Sequence, residues 1–121
     1  MKLETIKIND VEYVRKDNVN PVASKRDGME YVICRTYSAG VHAGYLSVRK
    51  GKEVTLFNSR RIWYWKGAAS LSQLAVDGTS CPDECKFPCE VENITLTEVI
   101  EIISVTEKAM KSIQGVSIWK K

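Results

Sequence analysis

An α+β domain is what the chain predicts, with an N-terminal antiparallel sheet, a meander of five to six strands, followed by two short C-terminal helices. Three observations predict it. Alternating β-branched and aromatic runs, punctuated by Gly, Asn and Ser, fill residues 5–66. The character then changes to Ala- and Leu-rich segments at helical spacing. The length of 121 residues suits one core, so residues 1–121 read as a single ligand-binding domain.

The elements follow in order. Thr5–Ile8 and Val11–Val14 flank Asn9 and Asp10 and read as a hairpin, because Asn and Asp tolerate left-handed backbone angles. Arg15 to Gly28 is polar and holds Pro21, so it reads as a solvated connector, with a mobile flap as the functional alternative. In Glu30 to Tyr37 the alternation puts Val32, Cys34 and Thr36 on one face and Tyr31, Ile33, Arg35 and Tyr37 on the other. Ser38-Ala39-Gly40 turns the chain into a strand over Val41–Val48. Gly44 inside that strand marks a bulge or a close backbone approach. Lys50-Gly51-Lys52 turns again into Glu53–Phe57. Asn58-Ser59 is expected to interrupt the sheet before a further aromatic strand, Arg60–Lys66.

Ala68 to Asp77 is expected to be helical, with Ala68, Leu71, Leu74 and Ala75 near one face and Gly78 as its left-handed end. Ile94 to Ile103 reads as one strand, with helix as the runner-up for the LTEVIEII stretch. Thr106 caps a last helix, in which Ala109, Met110 and Ile113 face inward, and Gly115 ends it. Val116 to Trp119 is a tail docked through Trp119.

Composition narrows the function classes. Apolar residues are 44% and charged residues 27%, the ordinary globular balance. The net charge of +3 is too small for non-specific nucleic-acid binding, so no DNA partner is expected. No run approaches the ~20 apolar residues that span a bilayer. The charged N-terminus MKLETIKIND lacks an apolar core, so a secretory leader is not expected. No membrane association and a cytoplasmic location are therefore the expectations. No Walker loop, G-x-G-x-x-G or H-E-x-x-H occurs, and the one histidine, His42, has no nucleophile signature around it. A protein that is not an enzyme and carries no cofactor is expected.

Two constellations remain. Cys81, Cys85 and Cys89 are spaced C-x3-C-x3-C, with Cys34 or His42 available as a fourth ligand for zinc. That spacing is not the usual knuckle, and Cys34 in a strand is more cheaply explained as a small buried hydrophobe, so the metal is left open. The second is an arginine and aromatic cluster: Arg35, Tyr37, His42, Tyr45, Arg60, Arg61, Trp63 and Trp65. A guanidinium matches phosphate oxygens, and an aromatic ring offers a base a stacking surface. The chemistry assigns Arg60 and Arg61, with Arg35 nearby, to a diphosphate. It assigns Tyr37 or Trp63 to base stacking, and Ser38 and His42 to ribose or phosphate hydrogen bonds. The competing reading places a tryptophan in the core with Arg60 lying over it.

RTYSAGVHAGYL (Arg35–Leu46) and NSRRIWYWKGAASLSQLA (Asn58–Ala75) resemble a family of small phage and prophage proteins across residues 5–119. In layout the chain is also similar to the first-described anti-Thoeris sponge family, phage proteins that sequester the cyclic ADP-ribose-type signal of bacterial TIR enzymes. That resemblance implies an anti-defence decoy in the cytoplasm of an infected or lysogenic host. It implies a small anionic nucleotide ligand of the cyclic ADP-ribose type, bound and not cleaved, and a homo-oligomer, at least a dimer, with ligand near the subunit interface. The rival function is a zinc-stabilised phage interaction module that binds a host protein or nucleic acid.

Overall fold

The β-rich alternation beyond Gly28 forms five antiparallel strands: β1 (Tyr31–Thr36), β2 (Val41–Lys50), β3 (Glu53–Arg61), β4 (Val91–Leu96) and β5 (Val99–Ser104). A helix α1 (Leu71–Asp77) lies between β3 and β4 in the chain, and α2 (Glu107–Gly115) follows β5. The fold is thus the α+β class that the sequence predicts. The computed structural model describes residues 21–121. The expected hairpin over Thr5–Ile8 and Val11–Val14 lies outside the described residues. Of the expected Arg15–Gly28 loop, the described part docks on the core, where Ala23 is buried and its N–H reaches Val105 O at 2.9 Å.

The strand order is β4-β3-β2-β1-β5. Both edge strands come from the stretch expected as one strand over Ile94–Ile103, which is corrected to two strands joined by Thr97 and Glu98. A flat sheet of five strands would hold its edges ~19 Å apart, at ~4.8 Å per spacing. The three steps from Leu96 to Val99 reach at most ~11 Å. The sheet therefore curls until its edges nearly meet. The link is held by Val99 N–H on Lys52 O and Tyr37 N–H on Glu98 O, both 3.0 Å. The curl encloses Val32, Cys34, Val54, Leu56, Leu96 and Val99. The outer face carries Tyr31, Ile33, Ala43 and Tyr45, which pack with Leu74 and Ala75 of α1 and with Ala109, Met110 and Ile113 of α2. Each fully buried Ile or Leu in these layers contributes roughly 1.5–3 kcal/mol.

Local chemistry fixes the element ends. Thr36 Oγ1 donates to Gly40 O and accepts from Ala39 N–H, both at 2.8 Å, which closes the β1–β2 turn and leaves Tyr37 outside the strand. Ser70 caps α1 by accepting Gln73 N–H at 3.1 Å, so the helix starts three residues after the expected Ala68. Thr106 caps α2 through Ala109 N–H, as its sequence position predicts.

Asn58-Ser59 does not interrupt the sheet. Asn58 adopts φ 50° within β3, where two residues, Asn58 and Ser59, lie opposite the single Gly44 of β2. This is a β-bulge. A Cβ on Gly44 would sit 3.0 Å from Phe57 O and from Ser59 Cα, so the gap that glycine opens is filled by β3 itself. The expected strand Arg60–Lys66 is likewise corrected: β3 ends at Arg61. Beyond it Ile62 N–H bonds Val41 O at 2.8 Å, and Tyr64 makes one bridge to Lys86. Among the described residues no helix is long and apolar enough to cross a membrane.

Candidate functional site

The exit of β3 and the β1–β2 turn face one another across a cleft of about 340 Å³. Ser38, Gly40, Val41, Arg61, Trp63 and Trp65 line it. Trp65 is anchored by its indole N–H on Ala68 O at 3.3 Å. Trp63 is 61% exposed and lies parallel to Trp119, with ring centroids 6.3 Å apart and planes at 10°. Trp119 is itself positioned by its N–H on Phe87 O at 3.0 Å, so the C-terminal tail docks as expected and braces the outer ring of the cleft. Arg61 is exposed, and no carboxylate among the described residues pairs with it.

Of the residues singled out in the sequence, Ser38, Arg61 and Trp63 therefore converge. His42 lies just beneath them. It is 1% exposed, and its Nε2–H donates to Ala39 O at 2.9 Å, propping the turn from inside. Burial pulls its pKa below the ordinary value and the Arg61 charge adds to this, against the opposing bond to Ala39. His42 is thus held neutral, with Nδ1 an acceptor.

The others are placed elsewhere. Arg60, assigned to a diphosphate, is 3% exposed, and its guanidinium ties three backbone carbonyls. Nε donates to Pro88 O at 2.9 Å, Nη1 to Ile113 O at 2.9 Å and Nη2 to Phe87 O at 3.1 Å. The guanidinium also lies 5.5 Å from the Phe87 ring centroid. One of those carbonyls, Ile113 O, belongs to the last turn of α2 and also accepts the Val116 N–H at 3.4 Å. Arg35 is drawn to Glu101 at 2.9 Å on the β5 side. Tyr37 is 78% exposed and does not line the cleft. Trp65 was in the sequence cluster but not among the assigned contacts. Its signal was there, since Arg61, Trp63 and Trp65 follow one another at a spacing of two.

The cysteines do not converge. Cys34 is buried within the curled sheet, and burial pushes its thiol up to about 11. Cys85 is buried against Lys66 O, Thr79 Oγ1 and Cys81 O, each 3.5 Å from its sulfur. Cys81 is half-buried and Cys89 is exposed. Among the described residues no three His, Cys, Asp or Glu side chains are grouped to hold a metal ion.

The fold and the cleft together define a small antiparallel α+β domain with one arginine and two indoles gathered at the end of its sheet. The chain belongs to the family described as a domain of unknown function, DUF6948, whose model matches residues 29–113, more than two thirds of its length. The cleft residues Ser38 to Trp65 fall inside that span, and Trp119 falls outside it. No curated protein and no solved structure matches the chain.

Proposed function

We propose that this protein is a non-catalytic binding module for an anionic nucleotide, held in the cleft between the β1–β2 turn and the exit of β3. The observation that carries the reading is the meeting of Arg61 with Trp63 and Trp65 around one opening. A guanidinium with no carboxylate partner among the described residues presents a planar fork to phosphate oxygens. An exposed indole gives a base a stacking surface worth roughly 1–3 kcal/mol. Ser38 adds a hydroxyl at the same opening. What supports binding without cleavage is His42, whose Nε2 is committed to Ala39 O and whose ring is buried.

The finer reading is a phage anti-defence sponge that captures a cyclic ADP-ribose-like signal of host TIR immunity. It rests on the resemblance carried by Arg35–Leu46 and Asn58–Ala75. These are the segments that supply the turn, Arg61, Trp63 and Trp65. At about 340 Å³ the cleft is at the low end of the ~300–1,000 Å³ usual for ligand pockets. A second copy closing over the open side would complete it, which is the role the expected homo-oligomer takes. Sequestration then depends on slow release.

The test is direct. Purified protein is incubated with cyclic ADP-ribose, freed of excess ligand and heat-denatured, and the supernatant is chromatographed. Intact ligand in the supernatant supports the reading. A hydrolysed product makes the protein an enzyme, and no retained nucleotide removes this ligand class.

A further inference from the structure

A narrower pocket of about 160 Å³ shares Arg61 with the cleft and is lined also by His42, Ser59, Pro88, Cys89 and Ile94. Ser59 is 2% exposed, and its Oγ has no hydrogen-bond partner among the described residues. A buried hydroxyl in that state is rare in a folded protein and marks a place that something else completes. His42 contributes a second atom without a partner among the described residues. Its Nε2 is taken by Ala39 O, so Nδ1 is left as an acceptor.

These groups share a face for a reason written in the pairing. His42 lies directly opposite Arg61, and Ser59 is two residues before Arg61 on the same strand. The pocket therefore offers a neutral acceptor, a hydroxyl that can donate or accept, and the edge of a guanidinium. An anion pushed to its end would meet the Nδ1 lone pair. A pair of sugar hydroxyls fits, one donating to Nδ1 and the other bonding Ser59 Oγ.

We propose that this pocket is the second half of the nucleotide site and takes a ribose, so that the ligand spans from a base beside Trp63 and Trp65, over a diphosphate at Arg61, to sugar hydroxyls at His42 and Ser59. It rests on the cleft reading above and narrows it to nucleotides with a sugar beyond the phosphates. The alternative occupant is ordered water alone.

Calorimetric titration with ADP and with ADP-ribose separates the two. Wild-type protein is expected to bind ADP-ribose about tenfold more tightly than ADP, because only the former fills the pocket and satisfies its polar groups. Ser59→Ala, whose melting temperature serves as the fold check, is expected to lower that preference by about three- to tenfold while leaving ADP affinity within about twofold. Equal binding of the two probes by the wild type overturns the ribose pocket and leaves the cleft reading standing, with water as the occupant; this arm needs no variant. A Ser59→Ala loss that is the same for both probes overturns it too. Binding of neither probe overturns the ribose pocket, and the cleft reading then stands or falls with the retention of cyclic ADP-ribose.

Discussion

Arg60 and Arg61 are consecutive in β3 and have opposite fates. Arg60 points to the helix-covered face and spends its donors on carbonyls of Phe87, Pro88 and Ile113. Arg61 points to the other face, beside His42 and Ser59, and reaches open solvent at two pockets. The difference originates one turn of the chain earlier. On the enclosed face, β3 contributes Val54 and Leu56, which are even positions. The extra residue at the Asn58 bulge shifts the parity, so that beyond it the odd positions Ser59 and Arg61 take that face. Without the bulge Arg60 would hold Arg61's place. A single inserted residue thus decides which arginine is sealed under the helices and which faces the cleft.

The largest expected effect tests the buried member of the pair. Arg60→Ala strips Pro88 O of its Arg60 donor, leaves Phe87 O and Ile113 O with only their backbone donors Trp119 and Val116, and is expected to cost about 2–3 kcal/mol in urea denaturation. A loss below about 1 kcal/mol would show that those bonds contribute little. Next comes the partner of the bulge. Gly44→Ala places a Cβ 3.0 Å from backbone atoms of Phe57 and Ser59, which cannot swing away. A loss of about 1–3 kcal/mol is expected from such overpacking. Asn58→Val should cost about 1–2 kcal/mol, because a β-branched residue resists φ 50°, whereas Asn58→Gly should be nearly neutral. An equal loss in both would point instead to the hydrogen bond that Asn58 Oδ1 accepts from Arg26.

Smaller again is a pH effect. The unfolded chain protonates His42 near its ordinary value of about 6.5, and the folded chain resists protonation. Stability from this source is complete above that value and is lost as pH falls below it. Melting curves between pH 7.5 and 5.5 should slope downward in the wild type and flatten in His42→Gln. Glu107, held below its usual range by the Ser24 N–H, acts only below about pH 4.5 and does not interfere.

Much of the fold was legible because local signals agreed with it. The β1–β2 and β2–β3 turns carry Gly40 and Gly51 at positive φ, and Thr106 stands where a cap is needed. What escaped depends on tertiary geometry. Ile94–Ile103 is rich in β-branched residues and holds no Gly or Pro, and only the curl of the sheet explains why Thr97-Glu98 carries the chain from one edge to the other. The site was half legible. Alternation separates Arg60 from Arg61, but the face that α1 and α2 cover is set by long-range packing. Tyr37 looked like a stacking residue only as long as β1 was taken to include it; the Thr36 turn puts it outside. Ser59 carried no signal, since an unpartnered hydroxyl is visible only once its neighbours are in place.

The claim that Arg61 and not Arg60 meets the ligand is tested most directly by calorimetric titration of cyclic ADP-ribose into wild-type protein and into Arg61→Ala. The wild type should give a saturable isotherm. Arg61→Ala should unfold within about 0.5 kcal/mol of wild type, as exposed positions do, yet bind at least about tenfold more weakly. An Arg61→Ala variant that binds as tightly as the wild type would contradict the account.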